Sequence, residues 1–364
     1  MFRFVLLLAV IFCGGCSSAD MAGKQDAGGG AATLKMGAIL PLGAGGAEGY
    51  AAGEILSGMR LAAEEYEKKS PKGKKLDLQI RDCSAPEFSF PETLRSMEGA
   101  GVRMFHIALT DSIVSYYSIF GKMPECFFNL MTTYPPATTG ADNTTRIFIN
   151  GAQEGDLLTE QIEVLDRKQR YVIMNVDTLN GRSNAAYFAF NLNKGSAKAY
   201  TDVFKSGEEN FGAFTSQIGR LLPRFIFYIG DGSELEKFSE SVGKADYSGV
   251  LLANCGLVPF EKIKPVKGVR FGKIRTAFEA GNLKTKISES FKSDYMARYG
   301  KSPSWLAAYG YDAVRLFAQA ARGGADSKLM RKFFSGKNYD AAIGMLKFDA
   351  SADSLSELEI VEIK

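Results

Sequence analysis

Apolar and polar positions along the chain follow two spacings, one typical of strands and one typical of helices. In residues 54–68 (EILSGMRLAAEEYEK), Ile55, Met59 and Tyr66 recur at intervals that place them on one side of a helix. Short apolar runs that predict strands lie at residues 34–40, 76–80, 104–109 and 126–131. This alternation predicts a parallel sheet with helices on both faces.

The same alternation begins again after residue 150. Further predicted strands lie at residues 170–175, 197–204, 224–229 and 249–253, with amphipathic segments between them. Two long amphipathic helices, at 284–299 and 305–322, and two short strands, at 345–349 and 358–363, complete the pattern. The sequence therefore predicts two α/β lobes, each with a Rossmann-like doubly wound parallel sheet, and a cleft between them.

Polar side chains follow several of the predicted strands directly. In open parallel sheets, ligands bind beyond the carboxyl ends of the strands, where backbone N–H groups and helix N-termini converge. The first lobe places hydroxyl groups after its third and fourth strands, at Thr110, Ser112, Thr132 and Thr133. Such hydroxyl groups suit a carboxylate on a ligand, although each of them also suits a simple helix cap.

The second lobe places three further candidates in the corresponding loops. These residues are Asn180, Asp231 and Cys255. Asp231 is the candidate partner for a cationic group on a ligand, because a buried cation requires a carboxylate nearby. Its alternative role is again that of a helix cap.

Composition and motifs exclude several classes of function. The 44 basic and 41 acidic residues give a net charge of +3, which is not typical of a nucleic-acid-binding domain. The single histidine, His106, lies in an apolar run and is predicted to be a core residue. In the glycine-rich segment 41–50 (PLGAGGAEGY), Glu48 occupies the last glycine position of a dinucleotide-binding motif.

The chain also contains neither a P-loop nor a Gly-x-Ser-x-Gly elbow. The sequence therefore predicts a binding protein rather than an enzyme, with no metal and no cofactor.

The N-terminal segment has the pattern of an export signal. Residues 1–16 (MFRFVLLLAVIFCGGC) combine a positive charge at Arg3 with an apolar stretch that is too short to span a bilayer of about 30 Å. Two glycines precede Cys16, and the segment resembles a bacterial lipobox, in which this cysteine is acylated. Residues 1–15 are then a lipoprotein signal peptide and residues 16–33 a flexible tether.

An ordinary secretory signal, cleaved near Ala19 or Ala22, is the alternative. No second apolar stretch of about 18 residues follows, so the chain is not predicted to be an integral transporter.

The remaining cysteines are not predicted to form a disulfide. Cys83 follows the second predicted strand, whereas Cys126 opens the fourth. In a parallel sheet these positions lie at opposite ends, farther apart than the Cα separation of about 7 Å that a disulfide bridges.

Six segments of the chain resemble a known family. In order along the chain they are KMGAILPLGAGG, GYAAGEILSGMRLAAEEYE, GKKLDLQIRDCSAPE, GVRMFHIALTDS, RYGKSPSWLAAYGYDAVRLFAQAA and GMLKFDAS. With this order and spacing, the chain resembles type I periplasmic solute-binding proteins of the leucine/isoleucine/valine-binding branch of ABC transport systems. The resemblance implies a three-segment hinge, with the chain crossing between lobes near residues 150, 278 and 338. Lobe 1 would then comprise 34–149 and 279–337, and lobe 2 would comprise 150–278 and 338–364.

The resemblance also assigns expected roles to the candidate residues. Ser112 and Thr110, with Thr132 or Thr133, would hold the α-carboxylate of an amino acid, and Tyr50 would cover it. In lobe 2, Asn180 stands at a tyrosine position of the family and Cys255 at or beside its acidic position. Asp231 would then supply the negative charge from a different loop.

The expected function is that of a lipid-anchored extracytoplasmic subunit that binds an amino-acid-like solute for an ABC permease. It would close two lobes on the solute by a hinge motion and work as a monomer without nucleic acid. The alternatives are a ligand-sensing receptor of the same fold and a binder of an amide or of an aromatic or organic acid.

Overall fold

Five short strands from the first part of the chain form a parallel sheet. The computed structural model describes residues 33–70, 75–84, 86–108, 117–163, 170–194, 198–257, 269–281, 283, 285–324 and 326–363. The strands of this first sheet are β1 (Leu34–Leu40), β2 (Leu76–Asp82), β3 (Met104–Ala108), β4 (Phe127–Met131) and β5 (Thr144–Thr145), in the order β2-β1-β3-β4-β5. Every residue of β3 and β4 is buried, as their mostly apolar sequences predict for strands covered on both faces.

Six strands form the second sheet. They are β6 (Arg170–Val176), β7 (Lys198–Phe204), β8 (Phe225–Ile229), β9 (Val250–Ala253), β10 (Arg270–Thr276) and β14 (Leu358–Ile363), in the order β14-β10-β9-β8-β6-β7. Only β14 runs antiparallel to its neighbour among these strands. The two parallel sheets confirm the predicted α/β class.

Nine α-helices are present in the described parts of the chain. They are α1 (Gly46–Lys69), α2 (Pro86–Gly99), α3 (Gly151–Glu163), α4 (Leu179–Lys194), α5 (Gly212–Leu221), α6 (Leu235–Lys244), α7 (Lys286–Tyr299), α8 (Trp305–Arg322) and α9 (Ser327–Phe334). Helix α1 begins at Gly46, whereas the periodic pattern begins at residue 54. The first two turns of this helix are rich in glycine and alanine and, apart from Tyr50, lack the large side chains that reveal a helical period.

Helices α1 and α8 pack against each other at close range. A Cβ atom added at Gly58 would lie 1.8 Å from the carbonyl oxygen of Ala307, and one added at Gly310 would lie 2.0 Å from that of Ile55. The two glycines therefore let the helix backbones touch directly, which larger residues would prevent.

His106 lies in the middle of β3 and is fully buried. Its ring centroid is 4.6 Å from that of Phe317 on α8, and its Nδ1 atom is 3.4 Å from Nδ2 of Asn129. Burial lowers the pKa of His106 to about 3, because the charged imidazolium would lose its hydration. The histidine is thus a neutral core residue near pH 7, as its apolar surroundings in the sequence predict.

Two short strands are expected near the C-terminus, but four are found. Besides β14, the strands β11 (Asn338–Ala341), β12 (Gly344–Phe348) and β13 (Ser354–Leu355) form a small antiparallel sheet. This small sheet packs beside the first sheet, because the Ser354 N–H donates to the carbonyl of Arg146 at 3.2 Å. On the other side, the Asp312 carboxylate of α8 accepts the N–H groups of Ala342 and Ile343.

The chain passes between the two parallel sheets three times. The first passage follows β5 and leads into α3, and the second follows β10 and leads into α7. The third passage lies between β13 and β14, at residues 356–357, rather than near the expected residue 338. The difference arises because β11–β13 stay on the side of the first sheet, and only the last strand returns to the second.

Cys83, Cys126 and Cys255, the three cysteines in the described part of the chain, are buried thiols that form no disulfide. Cys83 directly follows the carboxyl end of β2, whereas Cys126 directly precedes β4. Burial and the nearby Glu98 carboxylate raise the pKa of Cys126 to about 11, so it remains a thiol at neutral pH.

Candidate functional site

A cleft lies between the carboxyl ends of the two parallel sheets. The cavity volume within it is about 130 Å³, and the cleft is partly open to solvent. The first sheet contributes residues at or directly after the carboxyl ends of β1, β3 and β4, and the second contributes residues at or directly after the carboxyl ends of β6, β8 and β9. Parallel strands bring these loops together, because all their carboxyl ends lie at one edge of each sheet.

The lining of the cleft combines apolar and polar groups. Apolar side chains from both sheets line part of it, among them Ile55, Met131, Phe148, Ile229 and Leu257. Polar groups from the strand ends and from the start of α4 line the remainder. Such a mixture of apolar walls with a few oriented polar groups is typical of a site for a small organic molecule.

Thr132 and Thr133 lie at the cleft directly after β4, as the sequence predicts. Thr132 is buried, and its Oγ1 atom accepts the N–H of Tyr134 at 3.1 Å. The hydroxyl proton of Thr132 is therefore available for another acceptor. This arrangement is compatible with the expected role of Thr132 toward a carboxylate.

Asn180 lines the opposite side of the cleft and is already hydrogen-bonded across it. Its Nδ2 atom donates to Oγ1 of Thr133 at 2.8 Å, and Nδ2 of Asn184 donates to the same hydroxyl oxygen at 3.2 Å. Two candidate residues from different sheets thus bind each other. Asn184, which sequence reasoning missed, joins them one helical turn after Asn180.

Asp231 lines the cleft after β8 and also caps the local turn. Its Oδ1 atom accepts hydrogen bonds from the N–H and the hydroxyl of Ser233, at 3.0 Å and 2.6 Å. Its carbonyl accepts the N–H of Leu257 at 2.7 Å, which joins two loops of the cleft wall. The capping role and the position at the cleft therefore occur together in this residue.

Cys255 lies behind the cleft wall, whereas its neighbours Asn254 and Gly256 line the cleft. Its thiol is buried, and its N–H donates to Oε1 of Glu154 at 2.7 Å. Burial and the carboxylates of Glu279 and Glu154 raise the pKa of the Cys255 thiol far above its usual range.

Glu154 is a buried acid that sequence reasoning missed. It lies on α3, directly after the first passage between the sheets, and is 4% exposed. Burial raises the pKa of this carboxyl to about 7, and the hydrogen bond from Cys255 opposes the rise. A signal was available, because Glu154 precedes the buried Leu158 by one helical turn and so shares the apolar face of the helix.

Tyr50 does not line this cleft. It lies on α1, is 39% exposed, and borders a separate groove together with Glu54 and Trp305. Thr110, Ser112 and Cys16 lie outside the described residues. Their expected roles therefore remain predictions from the sequence.

The charged side chains that line the cleft in the described part of the chain are both acidic. Glu48 lies in the first turn of α1, and Asp231 lies on the opposite side. Among the described residues, no group of three or more histidine, cysteine, aspartate or glutamate side chains is placed to hold a metal ion.

The chain has two parallel sheets with helices packed against them, three connecting passages and a cleft at the strand ends. This combination defines a class of two-lobed proteins that bind small molecules between their sheets. A periplasmic binding protein family model matches residues 33–357, and the chain belongs to this family. Membership implies a non-enzymatic binding protein that works outside the cytoplasm. A comparison with curated protein sequences finds no match.

Solved structures share the fold over nearly the whole chain. A leucine-binding protein, LivK, from Thermotoga maritima has a TM-score of 0.75 at 20% identity, and the match covers 91% of this chain and 95% of that one. LivJ from Streptococcus pneumoniae in complex with isoleucine has a TM-score of 0.71 at 17% identity and coverages of 92% and 97%.

A third structure is a solute-binding protein of an ABC transporter from Rhodopseudomonas palustris in complex with 3,4-dihydroxybenzoic acid. It has a TM-score of 0.73 at 15% identity and coverages of 91% and 93%. None of the helices in the described ranges is long and apolar enough to cross a membrane.

Proposed function

We propose that the chain is the extracytoplasmic substrate-binding subunit of an ABC importer and binds a small amino-acid-like solute between two hinged lobes. The observation that carries this proposal is the cleft itself, which combines polar strand ends of both sheets with apolar walls. The three passages between the sheets would act as the hinge that closes the lobes. The leucine- and isoleucine-binding proteins of the same fold support this solute class.

In this proposal the two sheets divide the recognition of the solute. The hydroxyl groups of Thr132 and Thr133, together with those of Thr110 and Ser112, would hold the carboxylate. Asp231 would pair with the ammonium group from the opposite side, because leaving a buried cation without a carboxylate costs several kcal/mol.

The absence of a basic side chain among the described cleft residues supports a solute that carries its own positive charge. An aromatic or organic acid is the second candidate, and the apolar cleft wall and the dihydroxybenzoate-binding neighbour support it.

In this proposal the protein lies outside the cytoplasmic membrane and is attached to it by a lipid on Cys16. Residues 16–33 form the tether. Replacing Cys16 with serine should release the mature protein from the membrane fraction, because a lipid chain is needed for stable anchoring. Fractionation followed by immunoblotting measures this. Continued membrane association of the Cys16→Ser variant would contradict the anchor.

A panel of solutes tests the binding function. We expect an amino acid such as leucine or isoleucine to raise the melting temperature, because ligand at 100 times its Kd adds about 2.7 kcal/mol to stability. Benzoate and neutral amides complete the panel, and the fluorescence-detected melting temperature is the measurement. If no solute of any class raises it, the proposed function is wrong.

Replacing Asp231 with asparagine should weaken amino-acid binding roughly tenfold to a hundredfold, because a charge-assisted hydrogen bond to the ammonium would be lost. Binding of a plain carboxylate such as benzoate should not weaken. The matched control is Asp246→Asn, at an exposed residue outside the cleft whose φ of 50° asparagine also adopts. Equal losses for the amino acid and for benzoate, measured by titration calorimetry, would remove Asp231 from this role.

A further inference from the structure

Arg146 is a fully buried arginine between the first sheet and the passages. Its Nε and Nη2 atoms donate to the two carboxylate oxygens of Asp353, at 2.8 Å and 2.9 Å. Its remaining N–H groups donate to three backbone carbonyls at 3.0–3.1 Å, those of Thr132, Tyr134 and Pro135. All five N–H donors of the guanidinium are thus used.

The three carbonyls belong to the loop that carries the candidate threonines. This loop follows β4, where the regular ladder of the sheet ends and strand neighbours no longer supply donors. A guanidinium with a fixed planar fork satisfies several carbonyls at once and so determines the path of the loop. A lysine ammonium has three donors and no fork, so it does not reproduce this geometry.

Asp353 extends the same network to the passages between the sheets. Its Oδ2 atom also accepts hydrogen bonds from Oγ1 of Thr138 at 2.9 Å and from Nδ2 of Asn150 at 3.1 Å. Asn150 lies in the first passage, directly before α3, and Asp353 lies just ahead of the third.

The chain around Arg146 also runs beside the chain around Asp353. The Arg146 N–H donates to the carbonyl of Ala352 at 3.3 Å, and the Phe148 N–H donates to the hydroxyl of Ser354 at 3.4 Å. A single buried ion pair therefore joins the cleft loop to two of the three passages.

The role of this ion pair goes beyond the attraction between its two charges. A buried ion pair is often replaceable by apolar side chains without loss of stability. Apolar side chains in place of Arg146 and Asp353, however, would leave the three loop carbonyls without donors.

We infer that Arg146, held by Asp353, is a positioning residue of the cleft: it fixes the loop of Thr132 and Thr133 and couples that loop to the hinge passages. This inference rests on the proposed function only for the role of the loop in solute binding. The coupling itself is a property of the chain without solute.

Hydrogen–deuterium exchange of the full chain without added solute tests the coupling. In Arg146→Lys and Arg146→Met, we expect amide exchange in residues 131–139 and at Gly151, whose N–H donates to the Thr133 carbonyl, to become at least tenfold faster. Exchange in the central strands of the second sheet should stay near the wild-type rate. If Arg146→Met does not fold, Arg146→Lys and Asp353→Asn decide the question.

The matched control is Asp312→Asn. Asp312 is also fully buried and lies 3.4 Å from an arginine, Arg315, but it does not line the cleft. The Asp312→Asn substitution should change amide exchange near residues 341–344 and leave amide exchange in the cleft loop unchanged. Unchanged exchange of the loop in the Arg146 variants, or equal acceleration throughout both sheets, would overturn the inference.

Leucine binding provides a second readout that a merely structural role would not move. By titration calorimetry on the folded fraction, Arg146→Lys should bind leucine at least tenfold more weakly than wild type, and Asp312→Asn should bind it equally well. Equal affinities in all three proteins would also overturn the positioning role. If wild type does not bind leucine, that solute choice of the proposed function fails, and the exchange data still decide the role of Arg146.

Discussion

Replacing Glu154 with glutamine should stabilise the protein by about 3 kcal/mol more at pH 8 than at pH 4. The reason is the buried position of this carboxyl on α3, where the N–H of Cys255 is its hydrogen-bond donor. Glutamine keeps an oxygen that accepts this hydrogen bond, but it carries no charge at any pH. The variant therefore lacks the penalty that the wild-type carboxylate brings at high pH.

The direction of this pH dependence follows from the pKa of Glu154. Burial raises that pKa from 4.5 to about 7 in the folded chain, so the folded state binds the proton more tightly than the unfolded state does. The free energy of unfolding of the wild type should fall as the pH rises from 4.5 to 7. Below this window both states are neutral, and above it the full penalty is present.

Urea denaturation at pH 4, 5, 6, 7 and 8 measures the effect as the difference in unfolding free energy between variant and wild type. Glu160→Gln is the matched control, because Glu160 is an exposed residue of the same helix. Its difference from wild type should not change with pH by more than a few tenths of a kcal/mol. A difference for Glu154→Gln that is the same at every pH would show that this carboxyl is not the source.

Replacing Gly310 with alanine should lower the free energy of unfolding by about 3 kcal/mol, and Gly58→Ala should have a similar effect. In both cases the added methyl group would collide with a backbone carbonyl of the opposite helix, at 1.8 Å or 2.0 Å. Backbone atoms of a packed helix do not rotate away as a side chain does. The α1–α8 crossing must therefore widen, and contacts along both helices weaken.

Denaturant unfolding of the two single variants and the double variant measures this loss. The double variant should lose less than the sum of the single losses, because the first methyl group already opens the shared crossing. Gly53→Ala on α1 is the control, since a Cβ atom there meets nothing within 4 Å. It should stabilise the protein by up to about 1 kcal/mol through helix propensity. A loss below about 1 kcal/mol for Gly310→Ala would contradict the proposed close contact.

The sequence predicts the fold well where burial follows a simple period. The runs that form β3, β4, β6 and β8 are mostly apolar, because both faces of a parallel sheet are covered. The third passage was misplaced because the small sheet of β11–β13 is held beside the first sheet by tertiary contacts. The Ser354 N–H donates to the carbonyl of Arg146, more than two hundred residues earlier in the chain. The local spacing of apolar and polar residues does not predict a partner so distant in sequence.

The cleft was predicted in part for a similar reason. The topology places four candidate residues at the carboxyl ends of the strands of the two sheets, where the cleft lies. These residues are Thr132, Thr133, Asn180 and Asp231. The Arg146–Asp353 pair was missed because the two side chains meet only in the folded chain. Glu154 was missed because acidic residues on helices are usually exposed. A pattern of apolar and polar positions therefore assigns it to the exposed face of the helix rather than to the apolar face.

The polarity of β1 determines which way the cleft faces relative to the segment that precedes it. Because β1 begins at Leu34 and its carboxyl end points to the cleft, the preceding segment joins the sheet at the far edge. A chain attached through that segment would be held at the edge of the first sheet opposite the cleft, so the attachment would not occupy the cleft. The second sheet would carry no attachment of its own, so it could move toward the first sheet while the attached end stays in place.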